Sequence, residues 1–136
     1  MSMNAIVKKV NGAINTQVRK ATIELFSSVV KMTPVDTGRA RGNWIPSVGE
    51  PVTTAIKKKA PVGTTVISEI VSVVPKGVGH VVWLSNNVPY IRKLEYNRPG
   101  EGGSAQAPEG MVRISIRRFG SILSGAIASK SGGDLL

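Results

Sequence analysis

The stretch TPVDTGRARGNW, residues 33–44, separates a long helical pattern from a set of short β-type runs and so decides the fold. Pro34 disfavours the α conformation at the residue before it, so the first helix is predicted to end near Met32. Two interpretations of the corner remain open. Either Thr33 caps a new helical turn, with an acidic residue three positions on, or Asp36 is itself the cap.

Both interpretations place the Asp36 carboxylate beside backbone N–H groups of the turn and leave Arg39 and Arg41 near it. We therefore predict that these amides and one of the two arginines hold Asp36, within one subunit or across two. Trp44 begins the β region and is predicted to anchor the corner in the core. A purely structural role, as a helix-to-strand corner, accounts for the same residues equally well.

Residues 4–32 carry apolar residues three or four positions apart, which predicts one long helix. The stripe consists of Val7, Val10, Ile14, Val18, Ala21, Leu25, Val29 and Met32, with Ile23, Phe26 and Val30 beside it near its end. We expect the C-terminal half of this helix to be buried more broadly. Its N-terminal half is expected to be exposed, frayed or ordered by a neighbouring subunit.

After the corner, the pattern changes to β type. Residues 44–52 contain two prolines and a glycine, which indicates a broken or edge strand. Residues 64–74, TTVISEIVSVV, are rich in β-branched residues and predict the best strand of the chain. Residues 80–85, HVVWLS, predict the next strand, with Trp83 as its large core residue. Residues 53–63, between the first run and the second, are predicted to form a loop or a hairpin arm.

Pro89 fits the first turn of a short helix over residues 89–96. In this helix Tyr90 and Leu94 are predicted to face the core and Glu95 to face outward. Residues 97–110 are rich in Gly and Pro and predict a long loop. Because helical spacing of apolar residues resumes after this loop, a helix is predicted over residues 111–129.

The predicted fold class is α+β. A long N-terminal helix and a C-terminal helix, which contributes Phe119 to the core, pack on a small and mostly antiparallel sheet. A short helix follows the last strand. Residues 1–130 are predicted to form a single domain, and residues 131–136 a disordered tail.

The clearest signal in the composition is charge. The 136 residues carry 18 Lys and Arg against eight Asp and Glu, a formal net charge of +10. Such a surplus favours polyanions or acidic surfaces as partners. No apolar run approaches the ~18 residues that would span a bilayer. The first residues lack the apolar core of a signal peptide, so we expect synthesis in a cytoplasm and no membrane partner.

Candidate catalytic groups are sparse. The chain has no cysteine and one histidine, His80, without an acidic cluster that could complete a metal site with it. No nucleophile elbow, P-loop or dinucleotide fingerprint occurs, and the acidic residues are dispersed. The sequence therefore predicts a protein that is not an enzyme and uses no cofactor or metal.

Three segments occur in an order that points to a family: PVDTGRARGNW at 34–44, SNNVPYIRKLEYN at 85–97 and SAQAPEGMVRISIRRF at 104–119. Together they resemble the tail-completion proteins of long-tailed bacteriophages, the minor tail components that act as head–tail connectors or tail terminators. The resemblance covers about residues 30–120. The chain departs from the family at Asn97, where a glycine is usual, and the following residues, up to Gly103, look like a loop variant.

This resemblance implies a structural virion protein at the head–tail junction, made in the host cytoplasm. Its subunits would form a homo-oligomeric, commonly hexameric, ring that completes or caps the tail tube and joins it to the head connector. DNA would pass through the lumen. Neighbouring connector and tail tube proteins are the implied partners.

Within this interpretation, the corner residues Asp36, Arg39, Arg41 and Trp44 are candidates for contacts between subunits. The loop residues Arg98, Glu101, Gln106 and Glu109 are candidates for assembly, since we expect residues 97–110 to order against a neighbour. Lys57, Lys58 and Lys59 are predicted to face DNA in the lumen, and Trp83, Tyr90, Leu94 and Phe119 to build the core. The alternative function is a basic module that binds nucleic acid without sequence preference.

Overall fold

Five helices and two strands form the part of the chain that the computed structural model describes, residues 3–76 and 79–121, with the backbone alone for residues 3–14. In chain order they are α1 (Met3–Met32), α2 (Arg39–Gly42), β1 (Ile45–Val48), α3 (Thr64–Val73), β2 (Val82–Ser85), α4 (Ile91–Tyr96) and α5 (Val112–Arg117). Helices packed with a small antiparallel sheet make this an α+β fold, as predicted.

Helix α1 ends at Met32, where the proline at position 34 predicts its end. The Thr33 amide donates to the Val30 carbonyl at 3.2 Å, and the Thr33 hydroxyl donates to the Val29 carbonyl at 2.7 Å. These bonds occupy carbonyls that the last turn of a helix would otherwise leave without partners. Val29 and Val30 are buried, so the C-terminal half of α1 does contribute to the core. The side chains of residues 3–14 lie outside the described part.

The sheet has two antiparallel strands, with Ile45 opposite Ser85, Pro46 opposite Leu84, Ser47 opposite Trp83 and Val48 opposite Val82. Successive residues of a strand point to opposite faces of the sheet. Val82 and Leu84 pack against the core from one face. Trp83 therefore lies on the outer face and is 40% exposed. The prediction that Trp83 is a core residue is wrong, because the inward-facing positions are its two neighbours, Val82 and Leu84.

The segment 64–74, predicted as the best strand, is instead helix α3. Its buried residues Val66, Ile70 and Val74 recur every four positions, which is the spacing of one helix face. The hydroxyls of Ser68 and Ser72 lie on the exposed side and donate to carbonyls four residues earlier. β-branched residues lower helix propensity only slightly, and burial of one apolar face outweighs that cost.

The core lies between α1, α3 and the inner face of the sheet. Its buried apolar residues are Val29, Val30, Trp44, Ala60, Val66, Ile70, Val74, Ala107 and Met111. Leu94 is half-buried and packs against them. Phe119, beyond the end of α5, is also half-buried but is not one of the residues that pack against this core. Tyr90 is 36% exposed, so its assignment to the core is wrong. It lies just before α4 and on the surface side of the chain.

The end of the predicted C-terminal helix lies outside the described residues, as do residues 131–136 and the domain boundary at 130. Within the described part, α5 begins at Val112 and packs on α1, where the hydroxyls of Ser28 and Ser115 are 2.9 Å apart. Residues 97–110 form successive turns without a helix or named strand, as the sequence predicts.

The burial of Ile70 on α3 gives a test. Ile70 is fully buried and Val71, beside it on the same helix, is 43% exposed. We expect Ile70→Ala to lower the free energy of unfolding by about 2–5 kcal/mol through lost burial and a residual cavity. The matched control, Val71→Ala, should lower it by less than about 1 kcal/mol. Urea unfolding followed by circular dichroism measures both, and equal costs would contradict the burial of Ile70 and the exposure of Val71.

Candidate functional site

The guanidinium of Arg41 bridges three backbone carbonyls at the corner. Its Nη2 donates to the carbonyls of Lys31 at 3.1 Å and Thr33 at 2.9 Å, and its Nη1 donates to the Pro61 carbonyl at 2.6 Å. Burial lowers the pKa of the Arg41 guanidinium through loss of solvation, yet arginine stays cationic in proteins. Arg41 therefore joins the end of α1 to the segment that precedes α3.

Trp44 anchors the corner as predicted and is 5% exposed. Its indole Nε1 donates to the Thr33 hydroxyl oxygen at 2.7 Å, and that hydroxyl donates in turn to the Val29 carbonyl. The neighbouring Asn43 side chain is fully buried, where its Nδ2 donates to the Arg39 carbonyl at 2.8 Å and its Oδ1 accepts from the Ile56 amide at 2.8 Å. Every polar atom named here is paired, as burial requires.

Asp36 does not hold the corner within the subunit. Its side chain is exposed and forms no hydrogen bond or ion pair with the described residues. The Thr37 hydroxyl, at 3.3 Å, accepts from the Arg39 amide instead. Arg41 is turned inward to backbone carbonyls, and Arg39 is exposed. The predicted cap within one subunit is wrong: the Arg39 amide bonds the Thr37 hydroxyl, and the Arg41 guanidinium bonds backbone carbonyls.

Gly38 explains why the corner is so tight. Its φ is +87°, a conformation that residues with a side chain rarely adopt, and a Cβ there would lie 2.6 Å from the Pro61 nitrogen. Its carbonyl accepts from the amides of Gly42 at 2.8 Å and Ala60 at 2.9 Å. The backbone of the lysine loop, residues 57–59, consequently runs close against the corner.

The three segments that resemble the phage family meet at this corner. The Gln106 side-chain amide pairs with both backbone groups of Val35, accepting from its N–H at 2.9 Å and donating to its carbonyl at 3.1 Å. The Asn86 Nδ2 donates to the Ala40 carbonyl at 2.7 Å. Between the segments lies an open groove of about 460 Å³, lined by residues 34–40, Tyr90, Leu94, Ser104 and Gln106. We call it the corner groove.

Glu95 joins the second and third segments, and the prediction that it faces outward is wrong. It is 6% exposed, and its carboxylate accepts from the amides of Met111 at 2.7 Å, Val112 at 3.0 Å and Arg113 at 2.8 Å. These amides begin α5 and have no partners within the helix. The Arg113 Nε approaches the same carboxylate at 3.2 Å.

Gly110 is the residue that lets the chain pass this carboxylate. A Cβ at position 110 would lie 2.6 Å from the carboxyl group of Glu95, and the φ of Gly110 is +81°. The residues that Glu95 binds come 16–18 positions later in the chain, so no local pattern signals the contact. The same holds for Gln106 and Val35, which are 71 positions apart.

The predicted assembly loop is ordered largely by its own subunit. Asn97 Nδ2 donates to the Glu101 carbonyl at 2.9 Å, and the Arg98 carbonyl accepts from the amides of Glu101 and Gly103. The exposed Glu109 carboxylate lies 3.4 Å from Arg117. Residues 97–110 therefore have partners within their own subunit, contrary to the expectation that they order against a neighbour. The side chains of Arg98 and Glu101 do face solvent.

The three lysines do not form one free cationic surface. Lys58 forms an ion pair with Glu69 of α3, whereas Lys57 and Lys59 are exposed. Within residues 3–76 and 79–121, no group of three His, Cys, Asp or Glu side chains is arranged to hold a metal ion. No helix in that part has the length and apolar character to cross a membrane.

In comparisons with protein-family models, curated proteins and solved structures, nothing matches this chain. The resemblance to tail-completion proteins therefore rests on the three sequence segments.

Replacement of Arg41 tests its place in the corner. We expect Arg41→Met to lower the free energy of unfolding by about 2–3 kcal/mol, because carbonyls at the end of α1 lose a charged donor. The loss for Arg41→Lys should lie between zero and that of Arg41→Met, since an ammonium group cannot reproduce the planar guanidinium fork. The control Arg39→Met removes an exposed arginine and should change stability by less than about 0.5 kcal/mol. Equal effects at positions 39 and 41 in chemical unfolding would contradict this role.

Glu95→Gln tests the cap of α5. The substituted amide presents an NH₂ group to backbone donors, so we expect a loss of about 2–4 kcal/mol. Glu109→Gln, on the exposed side of the same helix end, should cost less than about 0.5 kcal/mol. Amide hydrogen exchange should show faster exchange at residues 111–113 in Glu95→Gln alone. Unchanged protection at these amides would show that the carboxylate is not their acceptor.

Proposed function

We propose that the protein is a structural subunit of a bacteriophage neck, where a homo-oligomeric ring completes the tail tube and joins it to the head connector. One observation carries the proposal: the three segments that resemble tail-completion proteins, residues 34–44, 85–97 and 104–119, together line one groove. Segments that are separate in sequence but share one surface can act together as one contact site.

The corner groove suits a contact between subunits. Asp36 and Arg39 lie on its wall with opposite charges, and both are exposed without an ion pair among the described residues. In a ring each subunit gives one surface and receives another, so complementary charges on one protomer can meet those of the next. This is the form of the Asp36 prediction that remains, in which the carboxylate is held across two subunits.

The charge of the chain supports DNA as a further partner. With a net charge of +10, a ring of subunits attracts the phosphate backbone without reading its sequence. Lys57 and Lys59, which have no acidic partner among the described residues, are the two members of the lysine loop available for such contacts. Contacts of this kind let DNA slide, which passage through a lumen requires. Localisation in the virion follows from this proposal.

Reversal of the corner charges tests the ring. We expect purified protein, or particles that contain it, to show rings with a central channel in averaged electron micrographs. Asp36→Arg and Arg39→Asp should each reduce ring formation at least about tenfold, because each reverses a charge that meets a complementary surface of the next subunit. Thermal melts of all variants should match the parent protein, since both side chains are exposed.

The control is Arg92→Asp, a charge reversal at an exposed position on α4 outside the groove lining, which should leave rings intact. Absence of rings both in purified protein and in particles would overturn the proposal. If the protein instead stays free of rings and binds DNA in a strongly salt-dependent way, the alternative function as a basic nucleic-acid-binding module gains support.

A further inference from the structure

The outer edge of β2 carries backbone groups that have no partner in the described part of the chain. In an antiparallel pair, residues alternate between those bonded across the ladder and those whose N–H and C=O groups point away. The Gly49 amide donates to the Val81 carbonyl at 2.8 Å, which extends the register of the sheet by one bonded pair. Val82 and Leu84 are therefore the residues whose backbone groups point away from β1. These groups have no partner among the described residues.

The two edges of the sheet differ. On β1 the corresponding outward positions are Pro46 and Val48, and proline has no N–H to donate. Pro46 thus blocks the edge of β1 against a further strand, a common protection of edge strands. Strand β2 has no such protection. It contains no proline, and no charged residue stands between Lys76 and Arg92, the longest uncharged stretch of the chain.

The side chains beside this edge are apolar and exposed. Trp83 is 40% exposed and Val81 59% exposed, and both lie on the outer face of the sheet. In a chain of net charge +10, a second copy is repelled by most surfaces. The uncharged edge of β2 is a surface on which two copies can meet without placing cations together.

We propose that two copies of the chain pair through β2, antiparallel about a two-fold axis at Trp83. In this register Val82 of each copy faces Leu84 of the other, and each such pair exchanges two backbone hydrogen bonds. The two Trp83 side chains then face each other on the outer surface, where a cross-strand aromatic pair adds stability. The product is a four-stranded sheet in which β1 of each copy is an outer strand, so Pro46 protects both outer edges.

This two-fold contact is closed and self-complementary, and it does not use the corner groove. It is therefore independent of the proposed ring, since substitutions at Trp83 and at Asp36 or Arg39 affect different surfaces. The monomer mass is 14.4 kDa, so sedimentation equilibrium of the full chain should give a species of about twice this mass in equilibrium with the monomer. Trp83→Lys should raise the dissociation constant at least about tenfold, because like charges then stand opposite each other.

A second measurement does not depend on that variant. The chain has no cysteine, so a single introduced thiol reports only its own contacts. Trp83→Cys should form an intermolecular disulfide under mild oxidation, because residues opposite in a non-bonded antiparallel pair have Cα atoms about 4.5 Å apart. The matched control is Ser47→Cys, directly opposite Trp83 on β1. Its two copies would lie three strand spacings, roughly 14 Å, apart and should not cross-link.

A mixture of Val81→Cys and Ser85→Cys proteins should also cross-link, since the proposed register sets these positions opposite each other. A full chain that stays monomeric at all concentrations would overturn the proposal, as would pairing of β2 with the chain's own residues 122–136. An oligomer that is unaffected by Trp83→Lys in folded protein, or that cross-links equally through Ser47→Cys, would overturn it too. If that oligomer were a hexamer, the ring proposal would still stand.

Discussion

The end of α1 is the constraint on which the rest of the structure depends. A helix that stops against the core must give its last carbonyls donors, because water cannot reach all of them. Two side chains from the corner do this: Arg41 bonds the carbonyls of Lys31 and Thr33, and Trp44 binds the hydroxyl that bonds the Val29 carbonyl. Because Arg41 also bonds Pro61, the same group that ends α1 fixes where α3 can begin. The sheet follows directly from Trp44, so its position depends on the same contacts.

The sequence allowed the helix α1, its end, the α+β class and the burial of Trp44 to be predicted, since each depends on a local rule. The segment 64–74 was beyond such rules. Its residue types favour a strand, whereas its arrangement, with Val66, Ile70 and Val74 four apart, fits a helix, and only the packing partner decides between them. Trp83 shows the related difficulty that alternation identifies two faces but does not say which one meets the core.

The candidate site was predictable in place but only partly in its contacts. The corner and its charged residues were identified, yet Asp36 and Arg41 do not pair, because backbone carbonyls compete successfully for the guanidinium. Glu95 and Gln106 were assigned to solvent or to a neighbour. Both instead bond backbone groups far along the chain, and the distances in sequence, 16 and 71 residues, exceed any motif spacing. Local sequence patterns most readily miss side chains of this kind, which bond backbone groups far away in the chain.

The length of α1 has a mechanical consequence. Thirty residues at a rise of 1.5 Å give a rod about 45 Å long, and Ala21 is the first buried residue described along it. The rod is held along its C-terminal half, where Arg19 donates to the carbonyls of Val71 and Val74 and the corner binds its end. Residues 3–18, about 24 Å of helix, extend beyond Arg19 toward the N-terminus. A tilt of about 5° at Arg19 would move the far tip by about 2 Å.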